Sequence, residues 1–291
     1  MDCKSGAELL ELCREHRCSI SEVMKQRECE LGETSLDTLQ TKMERILEIM
    51  QESSTSPIKN PRKSIGGLIG GEARLLNEHR TSGKSICGNV ISKAITYACA
   101  VLEVNTSMGL IVAAPTAGSS GIVPGVILAL RDEYRISDSR LMDALFNAGA
   151  IGYLAMRNAT VAGAVGGCQA EVGVAAAMAA AAATELMGGD PEQCLSAASS
   201  VLMNMLGLVC DPIGGLVECP CQGRNAAGAA IAITAAEMAL SGIRQIIPFD
   251  EMLAAMYSVG KKLPAELRET ALGGCAATPT GCAFACGGCS H

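Results

Sequence analysis

Three cysteines carry the first chemical suggestion in this 291-residue chain. Cys168, Cys210 and Cys221 each sit in a short junction bearing glycine or proline, within GAVGGCQAE, CDPIGG and CPCQGRN, and each has a polar neighbour. Thiolates are the donors that hold zinc and iron–sulfur clusters. Separations of 42 and 11 residues match no zinc-finger spacing, so as ligands the three must converge from different helix ends. The alternative is three buried thiols. On a four-iron cluster, three thiolates leave one iron open to water or substrate, by the same logic that leaves a catalytic zinc an open position. A fourth cysteine would favour electron transfer.

A second chemical segment is Ala-Pro-Thr-Ala-Gly-Ser-Ser-Gly at 114–121, which runs straight into the apolar stretch Ile122–Leu130. Small residues at a helix start leave backbone N–H groups free, and Ser and Thr hydroxyls add further donors. The segment has neither the Lys-Ser/Thr ending of a P-loop nor the order of a dinucleotide fingerprint. A small carboxylate is the expected guest, with Thr116, Gly118, Ser119 and Ser120 as the clamp; a plain capped turn is the alternative. Glu171, Asp211, Arg224 and Asn225 flank the three cysteines. The guanidinium fork of Arg224 matches a carboxylate, whereas Glu171 and Asp211 could equally serve as helix caps.

The remaining cysteines divide by context. Cys3, Cys13, Cys18, Cys29, Cys87, Cys99 and Cys194 lie in helical patterns and are expected to pack. Cys219 is joined to Cys221 through Pro220, and only one of the pair is expected to face the site. Cys282, Cys286 and Cys289 form C-x3-C-x2-C, the spacing of radical enzymes that cleave S-adenosylmethionine. Those enzymes place the motif early, whereas here only Ser290 and His291 follow. A tail that binds a metal ion with help from His291 is the better of these two readings.

The elements that must position these residues are helical. Hydrophobic residues make up 49% of the chain and aromatic residues 2%, so the core must be built from Ala, Leu, Ile, Val and Met, a composition suited to closely packed helices. Long apolar stretches alternate with the polar junctions, and polar groups gathered at the ends of buried helices are how a bundle makes a site. The pattern predicts an all-α fold: a bundle of buried Ala/Gly-rich helices with the site at helix ends, preceded by a small helical N-terminal segment. In that segment Ser19 and Ser21 are expected as N-caps. Leu110–Ala113 has strand-like composition, but stretch lengths and alanine content favour helix. Four regions are expected: a helical segment over 1–52, a linker over 53–64 rich in Ser, Thr and Pro, a catalytic cluster-binding domain over 65–281, and a cysteine-rich tail over 282–291.

Composition also narrows the function. A formal charge of −7 without a long basic run argues against nucleic acid. The wholly apolar run Val172–Ala183 is shorter than the roughly 20 residues a bilayer requires, which predicts a buried core helix and no membrane partner. The start MDCKSGAELL has no apolar stretch behind a basic end, so a cytoplasmic location is expected. There, fifteen cysteines point to metal or packing roles rather than disulfides.

Taken in order, the segments APTAGSSGIVPGV, GGCQAEVGVAAAMAAAAATELMGG, LGLVCDPIGGLVECPCQGRNA and LPAELRETALGGCAATPTG resemble the α chain of bacterial iron–sulfur-dependent L-serine dehydratase (L-serine ammonia-lyase). The resemblance runs from about Gly66 to Gly281. It implies a [4Fe–4S] cluster on Cys168, Cys210 and Cys221, with Cys219 off the ligand positions. Single-chain relatives cap the open iron with a cysteine near their C-terminus, at about the position of Cys282, but the extra Cys286 and Cys289 leave open which tail thiol caps, if any does. The resemblance further implies a separate β chain, and so a hetero-oligomer.

The implied reaction removes water from L-serine to give 2-aminoacrylate, which passes through an imine to pyruvate and ammonia. The open iron would act as Lewis acid on the β-hydroxyl, and a base must take the Cα proton. Thr116, Ser119, Ser120, Glu171 and Arg224 are the expected catalytic residues, with Thr116, Gly118, Ser119, Ser120, Gly121 and Asn225 binding substrate. The base stays open among Glu171, Asp211, Arg224, Asn225, Lys261, Lys262 and the β chain. A pyridoxal phosphate mechanism would need a Schiff-base lysine in a phosphate cradle, and neither Lys84 nor Lys93 has that setting. Two other functions remain in view: β-elimination of sulfide from L-cysteine on the same cluster, and a non-catalytic cluster carrier or redox protein.

Overall fold

The computed structural model describes residues 1–285, and among them the regular structure is helical. Three helices, α1 (Gly6–His16), α2 (Ile20–Leu31) and α3 (Leu36–Lys59), precede the body. The body holds α4 (Glu72–Thr81), α5 (Gly88–Thr106), α6 (Ile122–Tyr134), α7 (Asp138–Asn158), α8 (Gly163–Gly166) and α9 (Cys168–Leu186). It continues with α10 (Pro191–Asn204), α11 (Cys221–Leu240), α12 (Phe249–Lys262) and α13 (Pro279–Ala285). The expected all-α fold is the fold observed. No strand occurs among the described residues, and Leu110–Ala113 is irregular.

At the centre lies α9, in which every residue but Glu171 and Glu185 is buried. A helix apolar on all sides has to be surrounded, and α6, α7, α10 and α11 pack around this one. No described helix is long and apolar enough to cross a membrane. Around that group, α5 packs on α6 and α11, α3 and α4 cover α5, and α2 lies on α7. Small residues set the spacing between helices. A Cβ on Gly121 would stand 2.4 Å from the Ala98 carbonyl oxygen, so the backbones of α5 and α6 meet at a distance only glycine allows.

Two local expectations are corrected. The stretch 53–64, read as a linker, continues α3 as far as Lys59. Ser53 and Thr55 donate back to the Met50 and Gln51 carbonyls, and Ser53, Ser54 and Pro57 are buried, so tertiary packing overrides low helix propensity. Ser19 caps α2 through a capping box with Glu22. Ser21, expected as a cap too, lies inside the first turn of α2 and donates its N–H to Glu185.

Two buried carboxylates fix the loops beside the bundle end. Glu218 accepts from the Ser64 hydroxyl (2.7 Å) and the N–H groups of Gly66 (2.6 Å) and Leu68 (2.9 Å). Glu103, fully buried in α5, accepts from the N–H groups of Ala73 (2.9 Å) and Arg62 (3.5 Å).

Candidate active site

The polar junctions gather where α6, α9 and α11 begin. Cys168 is the first residue of α9, and Gly167 turns the chain into it at φ +75°. The Gln169 N–H donates to Leu208 O (2.9 Å), while the Gly207 N–H donates to the Gln169 side chain (2.8 Å). This staple draws the segment after α10 alongside the start of α9 and delivers Cys210. A short parallel bridge then ties Cys210 to Arg268: the Cys210 N–H donates to Leu267 O (2.9 Å) and the Glu269 N–H to Cys210 O (2.7 Å). Cys221 opens α11, and all three thiol residues are buried.

The Cys168 and Cys210 sulfurs and a Glu171 carboxylate oxygen lie within 4.8 Å of one another, a set able to hold a metal. Cys221 lies outside that group, yet near enough for the charges of Cys168 and Glu171 to act on it. Burial, followed by those charges, pushes its thiol up to about 12. Cys168 is shifted the other way, because the Cys210 thiol donates to it and Arg224 adds positive charge beside it. Cys210, the donor of that pair, is pushed well up. Burial also raises the Glu171 carboxyl, against a hydrogen bond from Thr116, and the charge of Glu269 adds to the rise.

Expected site residues fall into two groups. Thr116 donates to Glu171 and lies 3.0 Å from the Ser119 hydroxyl, so the 114–121 junction and the start of α9 share one polar cluster. A Cβ on Gly118 would stand 2.7 Å from Glu171 Oε1, which explains glycine there. Asn225 bonds the two junctions together: it accepts from the Gly121 N–H (3.0 Å) and donates to Gly118 O (2.8 Å) and Cys221 O (2.9 Å). Ser120 donates to Ala117 O (2.7 Å) and is fully buried.

The guanidinium of Arg224 is taken up by the protein rather than left as an open fork. It reaches Cys168 Sγ (3.5 Å), Val209 O (2.8 Å) and Asp211 Oδ1 (2.7 Å). Asp211 in turn accepts from the Cys275 N–H (2.6 Å). Lys261 and Lys262 are exposed at the end of α12, the former stacked on the Tyr257 ring at 3.9 Å. Cys219 is half-buried. Cys282 is exposed, with its thiol 3.5 Å from Ala276 O; Cys286, Cys289 and His291 lie outside the described residues.

Sequence reasoning missed three participants: Gly163, Glu269 and Cys275. The point where a Cβ on Gly163 would sit is 3.1 Å from Cys210 Sγ, 3.2 Å from Glu171 Oε2 and 3.4 Å from Glu269 Oε2. Glycine there leaves open a cradle lined by one thiol and two carboxylates. Glu269 and Cys275 are brought in by the bridge to Cys210 and the bond to Asp211, contacts that leave no periodic trace in sequence.

Comparison with known proteins adds names to this geometry. The family described as serine dehydratase alpha chain matches residues 15–276. A probable L-serine dehydratase, alpha chain, from Bacillus subtilis (strain 168) is 46% identical over 274 residues, covering 94% of this chain and 91% of that one. The L-serine dehydratase, alpha chain, of Peptoniphilus asaccharolyticus is 42% identical over 277 residues, 95% of each chain. An L-serine dehydratase of Helicobacter pylori (strain ATCC 700392 / 26695) is 38% identical over 282 residues, 95% of this chain and 62% of that protein.

Proposed function

The chain belongs to the serine dehydratase alpha chain family, and from that premise we propose that it is the α subunit of an iron–sulfur L-serine ammonia-lyase, assembled with a separate β chain in the cytoplasm. The observation that carries this reading is the meeting of Cys168, Cys210 and Glu171 within 4.8 Å, beside the Thr116–Gly121 junction. The family supplies the substrate, L-serine, and the expectation of a β partner, since relatives are named as alpha chains. Among the described residues thirteen cysteines are free, which suits a reducing compartment.

The donor set fits a [4Fe–4S] cluster: three buried thiols at one bundle end, no side chain at Gly163 to cover the Cys210 sulfur, and oxygen groups nearby for a ligand. Cys168, Cys210 and Cys221 would hold it, with Cys282 a candidate cap in the resting enzyme. When bound, the cluster supplies a Lewis-acidic iron that makes the β-hydroxyl of serine a better leaving group. The protein's own residues supply the rest. The backbone N–H groups of the Thr116–Ser119 turn, with the Ser119 hydroxyl, receive the substrate carboxylate, where negative charge builds as a base of this chain or of the β chain takes the Cα proton; Thr116, bonded to Glu171, and Ser120, bonded to Ala117 O, hold the turn in shape. Glu171, with one oxygen held by Thr116, presents the other toward the thiols, where in its protonated form it donates to the leaving hydroxyl so that it departs as water. Arg224 acts on Cys168, supporting its thiolate, rather than on substrate. Asn225 keeps the clamp and the first turn of α11 in register. Elimination of water gives 2-aminoacrylate, which tautomerises to an imine and hydrolyses to pyruvate and ammonia.

The test is pyruvate formation from L-serine by anaerobically reconstituted chain mixed with the β chain, with Cys210→Ala alongside. Activity in the wild type and loss of both cluster absorbance and pyruvate in the variant are expected. A fully loaded wild-type complex that makes no pyruvate would overturn the serine reading, and turnover of L-cysteine would replace it.

A further inference from the structure

We propose that Glu269 holds the α-ammonium group of the substrate and so selects amino acids over the corresponding acids that lack the amino group. This rests on the L-serine reading above. An amino acid presents two opposite charges on one carbon, and the junction at 116–121 answers only the carboxylate. Somewhere within a few ångströms a negative group must face the other end.

Three carboxylates approach the thiols, and two are already engaged. Asp211 is buried, pairs with Arg224 and accepts the Cys275 N–H. Glu171 takes the Thr116 hydroxyl on Oε1. The Glu269 carboxylate has neither a hydrogen bond nor an ion pair among the described residues, although its Oε2 lines the Gly163 cradle with Cys210 Sγ and Glu171 Oε2. It is solvent-exposed, so a ligand entering from outside reaches it without displacing a protein partner.

The backbone at this residue is held in an uncommon state to achieve that placement. Glu269 adopts φ +65°, a left-handed conformation that side chains other than glycine, asparagine and aspartate rarely take. Its N–H bond to Cys210 O keeps it there, so the same bridge that positions a thiol also positions this carboxylate. Two carboxylates facing one cradle repel each other, and a cation between them relieves the repulsion. Arg224, the cation nearest the thiols, is committed to Cys168, Val209 and Asp211. An ammonium brought by the ligand meets that need.

The experiment uses the reconstituted complex of α and β chains and compares L-serine with 3-hydroxypropanoate, which keeps the carboxylate and hydroxyl and lacks only the ammonium. Glu269→Gln should raise KM for L-serine about tenfold to a hundredfold, the range expected for losing a hydrogen bond to a charged group. The inhibition constant of 3-hydroxypropanoate should stay within about twofold, because that molecule never used the charge. Glu269→Asp, which keeps the charge on a shorter arm, should recover part of the loss and serves if the amide variant does not fold. Equal weakening of both ligands would overturn the proposal in favour of a structural role. A loss confined to kcat with KM unchanged would overturn it in favour of proton transfer, and an unchanged KM and kcat would remove Glu269 from the site. An inactive wild-type complex would instead indict the serine reading itself.

Discussion

Two pairs of acidic residues sit near the same end of this bundle and are treated in opposite ways. Glu103 and Glu218 are buried and draw donors from the 62–73 segment: Glu218 takes a hydroxyl and two N–H groups, and Glu103 the N–H groups of Arg62, Gly71 and Ala73. Glu171 has one hydroxyl and Glu269 has no donor among the described residues. A buried acceptor supplied with donors is a structural anchor, because removing it strands those donors. On the function proposed above, an acceptor left short beside the buried thiols is kept available for a ligand. On that reading donor supply, more than burial or charge, separates scaffold from chemistry.

That comparison is sharpened first at Glu171. Glu171→Gln should lower kcat about a hundredfold or more, the scale associated with a polar group acting on the reacting bonds. The melting midpoint should stay level or rise, since burial already disfavours the charged form. A variant that melts much earlier with kcat preserved would place Glu171 with the anchors. The opposite split is expected for Glu218→Ala. It strands the Ser64 hydroxyl and two backbone N–H groups, which should cost about 3 kcal/mol of unfolding free energy in a denaturant titration. Stability within about 0.5 kcal/mol of wild type would break the distinction, since surface sites behave that way.

How much of this was legible in the sequence follows the range of the interactions. The buried α9 was readable because an apolar run bounded by Glu171 and Thr184-Glu185 can only be surrounded by other helices. The junctions were readable because Cys, Ser, Asn and Arg stood out against alanine and valine, and Thr116 meets Glu171 across 55 residues as that reading requires. Glu269 was not readable. It is one acid in an exposed segment, and its place depends on an isolated bridge beside Cys210 that no periodicity announces. The ties of Arg224 were hidden for the same reason: a guanidinium suits a carboxylate ligand as well as Asp211, and only packing decides. At 53–59 composition misled, since Ser and Thr hydroxyls that usually break helices here bond back to their own helix and are buried against it.

The subtlest test lies within the anchor class. At Glu103 two causes oppose each other: burial raises the carboxyl above its ordinary value, while the N–H groups of Ala73, Gly71 and Arg62 lower it, and burial wins. A carboxyl with a raised folded value contributes stability that is fully present below its unfolded value, near 4.5, and is lost as pH rises through the folded one. The unfolding free energy of wild type minus that of Glu103→Gln should therefore fall as pH is raised from 4 toward 7. The amide presents an N–H₂ to backbone donors, so the variant is less stable at every pH, and only the slope of the difference carries the information. The change in slope should be smaller than the loss at Glu218. A difference that grows with pH would mean that the three donors outweigh burial and hold the carboxylate charged. The contrast with Glu171, short of donors and raised by burial, would then become one of sign as well as of hydrogen bonding.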